Sequence, residues 1–272
     1  MIDFCNRFQY NLIKNKISGG DDLLTLERHR MILQLLKDKN IVKIQEIMEL
    51  TNSSESTIRR DLSQLEEQKF LKRIHGGAQR LQGKLQEPSM MEKASKNLQE
   101  KRLVAQYAAS LVEEGDCIYL DAGSTVIEMI EFLPNKDIVV VTNGLMHVSS
   151  LLTKGISTYI IGGMIKQRTN ALIGRGALAS LDLYRFDKCF IGVNGIHPQF
   201  GFTTPDQEEA LVKQKAVSLA REAYVLADHT KFAEISFAKI ADIHEASIIT
   251  NELEHEAEKL YENRTTIKVV TA

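Results

Sequence analysis

Apolar residues recur at helical spacing from Thr25 onward, where Ile32, Leu35 and Leu36 share one face until the pattern stops near Asn40. A second short helix carries Ile44, Ile47 and Met48 inward and ends near Leu50. Thr51-Asn52-Ser53-Ser54 is then a polar turn whose serines can cap the next helix. That third helix runs to about Gln68, with Ile58, Leu62 and Leu65 along one side. Residues 70–77 read as a short hairpin, with two adjacent glycines at its tip to permit positive φ. Residues 80–89 contain Gly83 and Pro88 and few apolar positions, which predicts a linker. Behind them a long helix places Val104, Ala105, Ala108, Leu111 and Val112 together and stops at Gly115. Short apolar runs at 117–120, 138–141, 158–161, 188–193, 222–227 and 247–250 then alternate with helical stretches. Alternation of this kind predicts an α/β domain around a largely parallel, buried sheet.

The front of the chain has the pattern of a helix-turn-helix, with a third helix apolar behind and polar in front. Arg60 lies opposite Ile58, with Ser56 and Ser63 beside it and Thr57 and Arg59 on the flanks. Arginine can take guanine O6 and N7 bidentately, and hydroxyls reach phosphates or base edges. Two arginines on a helix face could be mere solvated charge. The basic hairpin of Lys72, Arg73, His75, Gly76 and Gly77 directly behind shifts the balance, because it reads as a wing that grips phosphate. Ser54, Ser56, Thr57, Arg59, Arg60, Ser63 and these hairpin residues form the candidate DNA surface. Beside two arginines, Asp61 is better suited to orienting a guanidinium, or to repelling phosphate in wrong registers, than to touching a base.

Charge divides the chain in the same way. The formal charge of the whole is -2, yet residues 23–80 carry 11 basic and 8 acidic residues while 81–272 sum to −5. A basic front and an acidic back suggest different partners. No run approaches about 18 apolar residues, and the first twenty lack a secretory apolar core, so a cytoplasmic protein is expected. Cys5, Cys117 and Cys189 lie far apart without CxxC spacing, which fits reduced thiols and no metal site. Residues 1–22 show no helical stripe and are expected to form a loosely ordered arm.

In the back domain, Asp121-Ala122-Gly123-Ser124-Thr125 follows one expected strand and opens a helix. Gly123 permits close backbone approach, the hydroxyls add donors, and the helix start adds N–H groups, which suits an anion. Thr142-Asn143-Gly144 and Gly162-Gly163 also fall at the C-terminal ends of strands, the edge where ligands gather in open α/β sheets. Lys166, Arg168 and Lys231 can supply positive charge there; Asp228 shares a turn with Lys231, and Gly195 belongs to a similar strand end. Asp206, Glu208 and Glu209 can select a sugar hydroxyl, but read more simply as an exposed, acidic helix start.

Thr57-Ile58-Arg59-Arg60-Asp61-Leu62 followed by Arg73-Ile74-His75-Gly76-Gly77-Ala78 resembles the DeoR family of bacterial sugar-operon repressors. The resemblance continues through the back-domain motifs just named and Asp228-His229-Thr230-Lys231-Phe232. It implies a winged helix-turn-helix over 23–79, a linker over 80–99, and a phosphosugar-sensing domain over 100–272 similar in fold to ribose-5-phosphate isomerase. One departure is Ser53, where the family usually has an apolar residue before the capping serine. The isomerases carry acidic residues after a central strand, whereas here residues 190–196 contain none, so no catalytic residue is expected. An isomerase-like enzyme and a rear domain that only oligomerises are the alternatives. Residues 171–176 and 203–206 look most like the fructose-operon repressors, implying fructose 1-phosphate as effector, operator DNA as partner, a homo-oligomer, and no cofactor.

Overall fold

The computed structural model describes residues 20–39, 41–68, 70–74, 76–80, 87–134, 137–253 and 258–271. Most of the expected N-terminal arm lies outside them, as does His75. The chain divides into two compact units, Met1–Gly83 and Lys84–Ala272.

The front unit holds helices α1 (Gly20–Lys39), α2 (Ile44–Thr51) and α3 (Glu55–Glu67) with strands β1 (Ile41–Lys43), β2 (Leu71–Ile74) and β3 (Gly77–Arg80). The strands form an antiparallel sheet in the order β1-β3-β2. Ile32, Leu36, Ile47, Ile58, Leu62, Leu65 and Leu71 make a closed core, as the helical spacing predicts. Asn52 takes a left-handed φ of 48° to end α2, and Ser54 caps α3 by accepting the Thr57 N–H at 3.3 Å. The Ser53 hydroxyl donates to the Thr51 carbonyl at 3.1 Å, so a polar residue at this turn leaves no unpaired group.

Two details differ from expectation. Strand β1 is too short to show alternation, and its three residues had read as a connection between helices. Of the two hairpin glycines only Gly76 has a positive φ, at 78°. Gly77 is a β3 residue opposite Lys43, and a Cβ there would lie 2.1 Å from the Val42 carbonyl oxygen. Its role is close strand approach, and it is buried rather than presented to phosphate.

The rear unit is built on a seven-stranded, fully parallel sheet in the order β15-β14-β12-β9-β4-β5-β6. These strands are β4 (Cys117–Leu120), β5 (Val139–Thr142), β6 (Ser157–Ile160), β9 (Phe186–Gly192), β12 (Ala220–Leu226), β14 (Ser247–Thr250) and β15 (Ile267–Val269). Successive side chains point to opposite faces. Ile118 and Leu120 therefore join Val104, Ala105, Ala108 and Met129 of helices α5 (Leu98–Ser110) and α6 (Val126–Phe132). Tyr119, Cys189 and Ile191 pack oppositely, with Ala177, Leu181, Val212 and Ala216 of α8 (Arg175–Leu181) and α9 (Gln207–Ser218).

Six of the seven strands coincide with the expected apolar runs to within about two residues; β15 escaped notice because Lys268 breaks its short run. A small antiparallel sheet of β10 (Gly195–His197), β11 (Gly201–Thr204) and β13 (Ala238–Ala241), and the hairpin β7 (Met164–Lys166) with β8 (Ala171–Ile173), were also not anticipated. They are short, and their pairing is set by partners far along the chain. The sheet is not buried throughout, because β6 is an exposed edge.

The expected linker needs the larger correction. Residues 87–99 are part of the rear unit, where α4 (Met90–Ala94) is capped by Ser89 and Glu87 and Met90 are buried. Glu87 accepts from Lys93 at 2.8 Å and from Lys166, while its carbonyl accepts from Arg168. The Met90 N–H donates to the Arg168 carbonyl at 3.0 Å. Low hydrophobicity had signalled a loop; the segment is held by ion pairs and backbone bonds instead.

Candidate DNA interface and effector cleft

On α3, Ser54, Ser56, Arg59 and Arg60 are exposed and Thr57 and Ser63 half-buried, all on the side away from the Ile58-Leu62-Leu65 core. Arg59 lies along the helix against Glu55 at 2.6 Å, an exposed pair that binding could exchange at little cost. Among the described residues Arg60 has no ion pair. Arg73 of β2 donates to the Ser63 hydroxyl at 2.8 Å, and its own N–H donates to Glu66 at 2.8 Å, so the wing is anchored on the helix it flanks. Ser54 is occupied by its cap and by hydroxyl contacts with Ser56 and Thr57, each at 2.9 Å.

Asp61 is 2% exposed and faces inward, where Arg28 of α1 donates to both its oxygens, at 2.5 and 2.9 Å. It does orient a guanidinium, but that of α1 rather than Arg59 or Arg60. The pair ties the first helix to the third.

In the rear unit, the chain runs β4-β5-β6 toward one edge, then returns to place β9 on the other side of β4 and continues outward. The crevice between the C-terminal ends of β4 and β9 is thus the topological switch point, where open α/β sheets bind ligands. Gly123 and Gly192 meet there: a Cβ on Gly123 would lie 3.4 Å from the Gly192 Cα. Asp121, 1% exposed, accepts the Gly192 N–H at 3.1 Å and pairs with Lys213 of α9, which is also buried. Ser124 and Thr125 sit buried beside them in the same turn.

Asp228 lies at the C-terminal end of β12, two strands from β4. Burial pushes its carboxyl up, but Lys231, bonds from Thr230 and the charge of Lys101 outweigh this and hold it below the usual range. Burial pulls the Lys101 ammonium down, partly offset by Asp228. His147, the first residue of the helix that follows β5, is fully buried, with its ring beside the Asp121 backbone and neither nitrogen in good hydrogen-bond geometry among the described residues. Burial presses it down to about 4 against the pull of Asp121. Its ring packs so tightly on Gly144 that a Cβ there would be 2.4 Å from Nδ1.

Asp121, Gly123, Ser124 and Thr125 are therefore together at the switch point, with Asp228 and Lys231 farther along the same edge. Other candidates have different work. Thr142 donates to the Leu120 carbonyl at 2.6 Å, and Asn143 accepts the Ala122 N–H at 2.9 Å, so both brace the strand ends. Gly163 is a packing glycine at φ 128°, and a Cβ on Gly195 would lie 2.4 Å from the Glu234 carbonyl oxygen. Gly162 is exposed, and a Cβ there would meet the Gly176 carbonyl oxygen at an ordinary 3.8 Å.

Lys166 is not a free cation. Burial opposes its charge, but Glu87, Glu209 and Asp206 surround it and hold the ammonium form well above the usual range. Arg168 clasps the Glu87 carbonyl. The supposedly exposed Glu209 is buried against Lys166 and Thr169, with Asp206 capping the helix.

Lys213, Lys101 and His147 were overlooked. A signal for Lys213 existed: it interrupts the buried face formed by Ala210, Val212, Ala216 and Val217. Lys101 carried the same signal, since it extends the buried stripe of Val104, Ala105 and Ala108, and His147 stands one turn before the buried Leu151. At the opposite edge of the sheet a groove of about 520 Å³, lined by Arg221, Tyr224, His244 and Arg264 among others, contains none of the candidate residues.

Residues 28–84 match the DeoR-like helix-turn-helix domain, and residues 96–252 match the DeoR C terminal sensor domain. The chain is 56% identical to the uncharacterized HTH-type transcriptional regulator FruR of Bacillus subtilis, covering 91% of this chain and 99% of that one. It is 35% identical to the lactose phosphotransferase system repressor of Staphylococcus aureus, over 90% and 98% of the two chains. Among solved structures it resembles ribose 5-phosphate isomerase A of Methanocaldococcus jannaschii, with 21% identity, 51% and 56% coverage and a TM-score of 0.39. At that score the fold description rests on the strand order itself. No described helix is long and apolar enough to cross a membrane. With both domain models matched in order and relatives aligned over nine-tenths of its length, this chain belongs to the DeoR family of transcription regulators.

Proposed function

We propose that this chain represses a sugar-utilisation operon in the cytoplasm and is controlled by a phosphorylated sugar, fructose 1-phosphate, bound at the switch point of the rear sheet. The observation that carries the reading is the buried Asp121–Lys213 pair beside the Gly123-Ser124-Thr125 turn. Burying two charges costs free energy that apolar residues of similar size would not, so such a pair is poorly explained by stability alone. It suits a site that takes a polar, anionic ligand: Lys213 can meet the phosphate, the turn can supply N–H and hydroxyl donors, and Asp121 can accept from a sugar hydroxyl. The names of the two relatives, one a regulator called FruR and one a lactose phosphotransferase repressor, agree with a sugar signal. Catalysis is not part of this reading, because the β9 end carries no acid.

The test is release of operator DNA by a panel of sugar phosphates against their unphosphorylated parents. Fructose 1-phosphate is expected to act and free fructose to fail. If the sugar phosphate reaches along the edge to Lys231, Lys231→Ala should weaken the response more than Thr125→Val, because a bond to a charged group contributes about 1.5–3 kcal/mol and a neutral one about 0.5–1.5. Equal potency of sugar and phosphate would overturn the anion site; tagatose 6-phosphate acting better would overturn only the choice of sugar.

On the DNA side, Arg60→Ala is expected to cost about 1–3 kcal/mol on the cognate operator and to relax base discrimination. Lys72→Ala should weaken all sequences alike and reduce the salt slope by about one. Titrations of operator and random duplex at several salt concentrations separate the two effects. Equal losses on both duplexes for Arg60→Ala would remove its base-reading role.

A further inference from the structure

The seven-stranded sheet ends in two unlike edges. At one lies β15, three residues long with Lys268 at its centre. At the other lies β6, within residues 156–165, a stretch with no charged residue and no proline. An edge strand presents unpaired N–H and C=O groups, and native proteins guard such edges with charge, proline, a bulge or a covering element. Strand β6 has none of the first three, and its only strand partner among the described residues is β5, in unbroken register from Val139↔Ser157 to Thr142↔Ile160. Its two faces are only partly covered, with Tyr159 53% exposed beside the Tyr184 ring at 5.9 Å and Ile160 43% exposed. Leu152 on α7 (His147–Thr153), which packs on β6, is exposed, as are Met164 and Ile165 just beyond it. Single exposed apolar residues need no explanation, whereas a cluster around an unguarded edge does.

We propose that a second copy of this chain pairs with β6 edge to edge, antiparallel about a two-fold axis, so that one sheet runs through two rear domains. The chemistry selects a like partner. A two-fold contact sets each residue against the same short segment of its copy, so any charge there would face itself. An uncharged, apolar-flanked strand is compatible with itself, and its backbone groups complete one another without a particular partner sequence. A regulator that reads repeated half-sites also requires two heads, which this pairing supplies independently of the effector.

Sedimentation velocity of the full chain over a wide concentration range tests this. The native chain should be a dimer or a multiple of one. Tyr159→Lys, which sets two lysines close together, should raise the dissociation constant on the order of tenfold or more, while Lys268→Glu on the opposite edge should leave it unchanged. Circular dichroism checks that each variant is folded. As a second measurement, single cysteines at Ser157, Thr158, Tyr159 and Ile160 are placed in a Cys5→Ser, Cys117→Ser background. Opposed residues of an antiparallel pair lie within disulfide reach, so at least one of these should cross-link on mild oxidation. A monomeric native chain, a folded Tyr159→Lys protein with unchanged assembly, or failure of all four cysteines to cross-link would overturn the proposal.

Discussion

Replacing Asp121 by alanine is expected to destabilise the rear domain by about 3–5 kcal/mol, because it leaves the Lys213 ammonium buried without its counter-charge. Both side chains are almost wholly removed from water, so solvent screening does little to soften the loss. Lys213→Met should be less severe than Asp121→Ala, since methionine fills the space and Asp121 keeps the Gly192 N–H as a donor. Combining Asp121→Leu with Lys213→Met should recover much of the stability, as paired charges replaced by apolar groups often are neutral or better. Urea denaturation of the four proteins measures the pattern, and effector-driven release of operator measures function. The reading predicts a double variant that folds well and no longer responds. Losses below about 1 kcal/mol for Asp121→Ala would show the pair to be solvated and would remove the principal support for the effector site.

A second large effect is acid lability from His147. In the folded chain burial lowers its pKa from 6.5 to about 4. Between those values the unfolded chain binds a proton that the native state excludes, so stability rises with pH there. The contribution is fully present above pH 6.5 and is lost as pH falls toward 4, amounting to up to about 3 kcal/mol. His147→Gln removes the titration while keeping a polar group of similar size. Denaturation midpoints of native and variant proteins should diverge most at neutral pH, relative to pH 4, once the variant's constant offset is subtracted. Carboxylates titrate in both proteins and largely cancel in the difference. Parallel pH profiles would show that water reaches the ring.

Much of the front unit could be read from local pattern. The burial of Ile58, Leu62 and Leu65 and the cap at Ser54 depend on contacts within or next to one helix, which periodicity and side-chain chemistry report directly. The third-helix arginines were legible for the same reason. Asp61 was half legible: a carboxylate holding a guanidinium was expected, but Arg28 lies 33 positions away, and no local rule names it. Gly77 was misread because a glycine required by a neighbouring backbone looks, in sequence, like one required by its own φ.

The rear domain divides along a similar line. Short apolar runs between helical stretches determined six parallel strands and the turns at their C-terminal ends, because a strand buried on both faces has to be apolar throughout. Strand order was decided only in three dimensions, and with it the switch point that joins Asp121, Gly123, Gly192 and Lys213 from β4, β9 and α9. Which cations are free was decided there too. Lys166 and Lys231 read alike as basic residues near strand ends, yet three carboxylates enclose the first, while the second lies near Asp228. Charge partners form through space across long sequence separations, so local pattern determines which elements exist, and packing decides which of their polar groups remain available to a ligand.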